Sequence, residues 1–353
     1  MHNTSESQSP AAEPRCPYFG ECGGCLYQDV PYQEELRRKE EILREILQEA
    51  LPAQDLSIRP VEASPREYHY RHRLDLRLLK TREQKIFVGF SPKDRFGVVD
   101  VEQCPIAMGA VSDFIPELKR QAAAVLPSEY RLANLVVRCG DEGRVHWGGI
   151  GKRSLRQQPE DYLWTEVNGL KVYYALDTFF QANLSILPRL FEVIRRMPVW
   201  SPDVTFLDLY GGVGLFCMGL SGRYGRAVLI EDSKNSIQLA HYNVLKHRLN
   251  DITVIESRVE DVLDKVLTEL TGPAVAMIDP PRAGLSAEAR AMLNAAGGRI
   301  GQLLYLSCQP EALGRDLREL AGTWRVREII PFDFFPKTRH LETLVRLSPA
   351  GED

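Results

Sequence analysis

The sequence predicts an α/β protein in which a β-rich segment precedes a doubly wound, largely parallel sheet. Three observations carry that reading. Beyond residue 185, apolar runs at Val204–Leu209, Ala227–Glu231, Ile252–Glu256, Ala274–Asp279 and Leu303–Ser307 alternate with helical stretches at 185–197, 233–248 and 285–296. Such alternation is the pattern of βαβ units, whose crossover helices cover both sheet faces. Between 56 and about 180 the period changes to two, most clearly in Leu74-Asp75-Leu76-Arg77-Leu78, as in strands with one buried face. Ahead of both, three cysteines crowd into residues 16–25.

Taken in order, residues 1–15 are polar and rich in Ser, Glu and Pro, and are expected to be a disordered tail. Residues 16–55 hold the cysteines and then a helix from Pro31 to about Leu51, on which Leu36, Ile42, Leu43, Ile46 and Leu47 fall at helical spacing. Residues 56–184 form the expected central β-rich domain, with further alternation in 86–101 and 134–149, turn signals at Ser91-Pro92, Gly140-Asp141 and 148–151, and a helix near 109–125. Residues 185–353 form the expected doubly wound domain.

Composition narrows the class. Apolar content of 44% and charged content of 26% are ordinary for a soluble chain. The sequence shows neither an apolar run of the roughly 18 residues a bilayer requires nor a signal-peptide core, so a cytoplasmic location and a monomer are the default expectations. The net charge of −4 names no partner. Its distribution is more informative: 66–95 holds nine Lys or Arg against four acids, with Tyr68, Tyr70, Phe87, Phe90 and Phe96 interleaved. That strip is either a solvated face or a surface for phosphates and bases.

The segment from Phe206 to Phe216 reads as a strand running into the glycine-rich turn Gly211-Gly212-Val213-Gly214, where the backbone can approach a ligand at the sheet's carboxyl edge. The next strand ends in Glu231, about 20 residues on, placed to accept from ribose hydroxyls or to cap the following helix. Dinucleotide and S-adenosylmethionine sites share these features. The rigid Asp279-Pro280-Pro281-Arg282 loop after the fourth strand favours methyl transfer to planar bases over hydride transfer, since proline fixes the backbone and withholds donors.

Cys308 ends the last of these strands, at the edge where Glu231 and Asp279 emerge, and Pro310 stops the strand. A thiol there can be a nucleophile, whereas Cys139 and Cys217, each among apolar neighbours, read as packing. Glu342 sits in an apolar setting near the chain end, as a desolvated base or as an exposed strand residue. Cys16-x5-Cys22-x2-Cys25, with Cys104 as a plausible fourth ligand, reads as a metal centre that four thiolates could build around zinc or a [4Fe-4S] cluster.

These pieces together resemble the RNA uracil-C5 methyltransferase family, in the family's order over 16–347: Phe179-Phe180-Gln181-Ala182-Asn183, Asp208-Leu209-Tyr210-Gly211-Gly212-Val213-Gly214, Asp279-Pro280-Pro281-Arg282, Leu306-Ser307-Cys308-Gln309-Pro310 and Phe335-Pro336-Lys337-Thr338-Arg339-His340-Leu341-Glu342-Thr343. The resemblance implies a Rossmann-like S-adenosylmethionine-dependent methyltransferase domain. It implies donor contacts from Gln181, Tyr210, Glu231 and Asp279, with Cys308 as nucleophile and Glu342 as base. It also implies a small N-terminal iron-sulfur segment, with a [4Fe-4S] cluster on Cys16, Cys22, Cys25 and Cys104. The closest subgroup by motif is that acting on 23S rRNA, with the T-loop uridine of tRNA as runner-up, and the chain resembles a short form lacking an N-terminal RNA-binding β-barrel. A cluster-bearing RNA-binding protein without catalysis is the non-enzyme alternative. A radical enzyme is disfavoured, because 16–25 lacks a Cys-x3-Cys-x2-Cys loop. Tyr70-Arg71-His72-Arg73 resembles a family segment near the active site and carries no assigned role.

Overall fold

The computed structural model describes residues 12–125, 131–150 and 161–351; most of the expected N-terminal tail, residues 1–11, lies outside them. Helix α1 (Tyr32–Ala50) buries Leu36, Leu43, Leu47 and Ala50, which recur at helical spacing, and sets Glu35 and Lys39 on the same inward face. The central domain follows with β1 (Arg73–Lys80), β2 (Ile86–Phe90), β3 (Val99–Asp100), α2 (Gly109–Asp113), α3 (Ile115–Val125), β4 (Leu132–Cys139) and β5 (Val145–Ile150). Its strands form an antiparallel sheet in the order β3-β2-β1-β4-β5. The alternation read from the sequence is the sheet's inside and outside: Leu74, Leu76 and Leu78 are buried against Val111, Ile115 and Leu118, while Asp75 and Arg77 are exposed. The helix expected near 109–125 is two helices, parted at Phe114.

A hairpin of β6 (Leu163–Val167) and β7 (Leu170–Tyr174) then leads into α4 (Leu187–Arg195), and its buried side chains share a core with the domain that follows. That domain runs β8 (Thr205–Leu209), α5 (Leu215–Gly219), β9 (Arg226–Glu231), α6 (Lys234–His247), β10 (Ile252–Glu256), α7 (Val259–Thr268), β11 (Ala274–Ile278), α8 (Ala287–Ala295), β12 (Gln302–Ser307), α9 (Pro310–Leu320), β13 (Trp324–Phe332) and β14 (Glu342–Pro349). The strand order is β10-β9-β8-β11-β12-β14-β13. The five expected strands pair in parallel, and β14 inserts antiparallel between β12 and β13.

Strands β8 and β11 are buried along their whole length, so they read as continuous apolar runs rather than alternations. Each fully buried Leu, Ile or Phe there contributes about 1.5–3 kcal/mol. The strand order reverses between β8 and β11, which opens a crevice at their carboxyl ends, the usual ligand position in such sheets. On the opposite flank α1 packs with α9: Leu43 and Leu47 share a cluster with Leu313 and Leu317. The N-terminal helix is thereby bound to the doubly wound domain.

Candidate active site

The turn after β8 is held in shape by its own backbone. Tyr210, Gly212 and Gly214 have φ of +63°, +55° and +91°; a non-glycine residue in that region marks a site where the surroundings over-determine the backbone. Gly211 has no room for a side chain, since a Cβ would lie 2.5 Å from Leu229 Cγ. The Gly211 amide donates to Ile230 O at 3.0 Å. The Gly212 amide donates to Glu231 Oε2 at 2.9 Å. Glu231 Oε1 accepts from the amides of Asp232 and Ser233, at 3.1 and 2.8 Å, as α6 begins. These amides precede α6, so Glu231 fixes the chain entering the helix without bonding the helix's own first-turn amides, and its Oε2, with one acceptor position used, still faces the turn. Beneath, buried Asp208 accepts from the Cys217 amide at 3.0 Å, and burial pushes its carboxyl up to about 7.

Gln181 reaches the end of the neighbouring strand β11. It is buried, and its Nε2 donates to Asp279 Oδ2 at 2.9 Å. Asp279 is pushed up to about 7 by burial and by the charge of Asp208, against the opposing Gln181 bond. Leu209 and Ile278 pair across β8 and β11, and Ile278 pairs with Tyr305 of β12. Tyr210, Asp279 and Cys308 thus leave the sheet at one edge.

Cys308 and Glu342 meet through strand register. Ser307 pairs with Thr343, so the residue after the first and the residue before the second stand at adjacent positions. Cys308 is partly exposed. Its thiol is pushed up to about 11 by burial, then by the charges of Glu342 and Asp279, with Arg282 opposing. Glu342 is 4% exposed, which settles it as a desolvated group rather than an exposed strand residue. Burial first and Asp279 second drive its carboxyl well above the ordinary range, and Oε2 has no hydrogen-bond partner. The edge therefore assembles two carboxyls and a thiol that disfavour one another's ionisation, which is how catalytic groups acquire unusual proton affinities.

Two neighbours were not singled out from sequence. Arg282, the last residue of the Asp-Pro-Pro-Arg motif, acts on the charge of Cys308, Glu342 and His340. His340 is held down to about 4 by burial and by Arg282, Arg339, Arg71 and Lys39, so its imidazole is neutral. The motif containing His340 was legible, but what faces it was not.

The four remaining thiols converge. Cys16, Cys22, Cys25 and Cys104 line one cavity of about 110 Å³ together with Gln28 and Arg71. Among the described residues, no three His, Cys, Asp or Glu side chains are placed to hold a metal ion. Cys139 and Cys217 are fully buried, as packing residues are. On the expected basic strip, Arg77, Arg82, Lys85 and Lys93 are exposed, as is Phe96, whereas Arg73 pairs with Asp75 and Arg95 with Glu21.

Comparison with known proteins agrees with this architecture. A Schizosaccharomyces pombe tRNA (uracil(54)-C(5))-methyltransferase is 27% identical over 95% of this chain, which spans 65% of that protein's length. A Pseudomonas savastanoi 23S rRNA (uracil(1939)-C(5))-methyltransferase is 27% identical over 94% of the chain and 79% of its own length. The crystal structure of Pyrococcus abyssi tRNA (uracil-54, C5)-methyltransferase in complex with S-adenosyl-L-homocysteine superposes with a TM-score of 0.68 at 21% identity, covering 93% of this chain and 86% of that one. The same α/β fold is therefore shared across nearly the whole chain. The family described as tRNA (Uracil-5-)-methyltransferase matches residues 159–349, which include the cofactor-type turn, the Asp-Pro-Pro-Arg loop, Cys308 and Glu342, and the chain belongs to that family.

Proposed function

We propose that this protein transfers a methyl group from S-adenosyl-L-methionine to C5 of a specific uridine in RNA, through a covalent adduct between Cys308 and C6 of the base. The observation that carries the reading is the register that sets the Cys308 thiol and the buried Glu342 carboxyl side by side at the edge where the glycine turn and Asp279 emerge. Glu231, Asp279 and the Gln181 amide suit a ligand bearing ribose hydroxyls and amino groups, and the turn offers Tyr210 and open backbone. The donor, when bound there, supplies an electrophilic methyl group.

Uracil C5 is a weak nucleophile. Addition of the Cys308 thiolate to C6 converts the ring to an enolate with its charge delocalised onto C5, which can then take the methyl group. Glu342 removes the remaining C5 proton, and breakage of the sulfur–C6 bond restores the ring and returns the thiolate. Arg282 opposes the accumulated negative charge. Because C6 must be approached from the face of the base, the uridine is flipped from its stack, and Arg77, Arg82, Lys85, Lys93 and Phe96 offer phosphate contacts and a stacking surface for the strand.

The preferred substrate is 23S rRNA, supported by the Pseudomonas relative. The T-loop uridine of tRNA is the second reading, supported by the yeast relative at equal identity. Mapping 5-methyluridine in both RNAs from a deletion strain decides between them; loss from neither would sink the function.

We further propose that Cys16, Cys22, Cys25 and Cys104 hold a [4Fe-4S] cluster. A zinc ion at about 2.3 Å from each sulfur draws four thiolates to within roughly 4 Å of one another, whereas a cluster spreads them over four irons. What supports the cluster is that the four thiols line one cavity, and four soft thiolates suit such a centre. Anaerobically purified protein should be brown with about four irons per chain; colourless protein with stoichiometric zinc would refute the cluster.

A further inference from the structure

The loop between β13 and β14 carries His340 and ends at Glu342, and both arms of the four-cysteine lobe grip it at adjacent carbonyls. One arm continues from Cys25: the amides of Leu26 and Tyr27 donate to Lys337 O at 2.8 and 3.1 Å. The other starts at Cys104. The carbonyls of Pro105 and Ile106 accept from the amides of His69, Tyr70 and Arg71, at 2.9–3.0 Å. Fully buried Tyr70 then donates its hydroxyl to Pro336 O at 3.0 Å. Tyr70 opens the Tyr70-Arg71-His72-Arg73 segment that the sequence left unassigned. Arg71 itself lines the four-thiol cavity.

The gripped loop has little freedom of its own. Lys337 sits at φ +67°, a conformation that persists only when surrounding contacts impose it. Its amide donates to Glu35 Oε1 at 2.6 Å, and its ammonium reaches Glu35 and Glu67 at 3.4 and 2.9 Å. Onward to the catalytic edge, the Thr338 amide and hydroxyl both donate to Phe335 O, and the His340 amide donates to Thr338 Oγ1 at 3.2 Å. These bonds bracket Pro336 and Lys337 and run on to His340, two residues before β14 begins at Glu342.

We propose that the four-cysteine lobe is a positioning device for the catalytic wall: closed around its metal centre, it holds Pro336 and Lys337 through Tyr70 and the Leu26–Tyr27 amides, and when it opens, the wall relaxes and methyl transfer stalls at the step needing Glu342. The proposal rests on the functional reading above and assigns Tyr70 as a positioning residue that touches no reacting atom.

Tyr70→Phe deletes only the hydroxyl. The variant should bind S-adenosylmethionine within about twofold of wild type and retain its iron. Its turnover should fall on the order of tenfold, the worth of one hydrogen bond, without a matching rise in KM, and an RNA–protein adduct should accumulate on denaturing gels. Cys25→Ser, which opens the lobe, should speed amide hydrogen exchange at 335–341 at least tenfold and leave β8 and β11 unchanged. Wild-type turnover in Tyr70→Phe, or unaltered exchange at 335–341 in Cys25→Ser, would overturn the proposal. Failure of wild-type protein to form 5-methyluridine would instead sink the functional reading, and the exchange comparison would still judge the coupling.

Discussion

Ser307 faces Thr343 across the antiparallel pair of β12 and β14, and that one register decides which residues share the mouth of the sheet. A slip of one residue would turn the opposing side chains to the other face. The covalent route places the nucleophile at Cys308, so Cys308→Ala should abolish 5-methyluridine formation and the adduct with 5-fluorouridine RNA, while S-adenosylmethionine binding by calorimetry stays within about twofold. Turnover near wild type would remove the thiol from the mechanism.

Glu342→Gln separates the two halves of the reaction. The amide is close in shape but cannot take the C5 proton. Methylated adduct should therefore accumulate with unmodified RNA, and product release should slow by about 10²–10⁴-fold, the usual worth of a general base. The check is a denaturing gel at successive times after a single turnover. Prompt release of 5-methyluridine would identify another base.

Much of this site was legible in the residue order. Strand-ending positions of Glu231, Asp279 and Cys308 follow from short apolar runs bounded by Gly and Pro, and parallel pairing follows from the helices between them. The last two strands were not legible as such: nothing local in 324–349 says that β14 inserts between β12 and β13, and that pairing is what brings Glu342 to Cys308. The four cysteines announced themselves by spacing, but one of their links to the loop before Glu342 runs through backbone amides of Leu26 and Tyr27, which any sequence supplies, and the other through the hydroxyl of Tyr70, whose partner is 266 residues away. Glu35 and Lys39 left a quieter trace, an i,i+4 charged pair on the apolar face of α1. A charged pair there is tolerated only if something buried completes it, and that partner, Asp333, is 294 residues away from Lys39.

The proton affinities of the site give a pH signature. The Cys308 thiol, raised to about 11, is protonated at neutral pH, and the proposed mechanism uses its conjugate base. Adduct formation with 5-fluorouridine RNA should thus accelerate close to tenfold per pH unit between 7 and 9. Rapid-quench measurement across that range checks it, and a flat profile would show that the thiolate is already formed in the reacting complex.

Asp208 sets an opposite trend on stability. Its folded pKa of about 7 lies above the unfolded value of 3.8, so the folded state holds the proton more tightly. The stabilisation is complete below pH 3.8 and is lost as pH rises through about 7, by at most roughly 4 kcal/mol. Asp208→Asn should flatten the fall in ligand-free stability between pH 4 and 7. Urea midpoints at several pH values provide the test, and an unchanged slope in the variant would place the titration elsewhere.

The ion network under the catalytic loop should be costly to break and cheap to replace. Lys39 Nζ bonds Glu35 and Asp333 at 2.8 Å each, with all three side chains buried, and donates to Phe335 O at 3.1 Å. Lys39→Met leaves two buried carboxyls short of their shared cation. Removing one partner of such a network typically costs about 3–5 kcal/mol, whereas replacing the whole group by uncharged residues of similar volume is near neutral. Lys39→Met should therefore lower urea stability by that amount, and the combination Lys39→Met, Glu35→Gln and Asp333→Asn should recover most of it. Because Glu35 also pairs with the Lys337 ammonium at 3.4 Å, a charge that Gln lacks, the triple variant should regain stability without regaining full turnover. Equal recovery of both would mean that the charges at this network serve folding alone and leave the catalytic loop's shape to its backbone contacts.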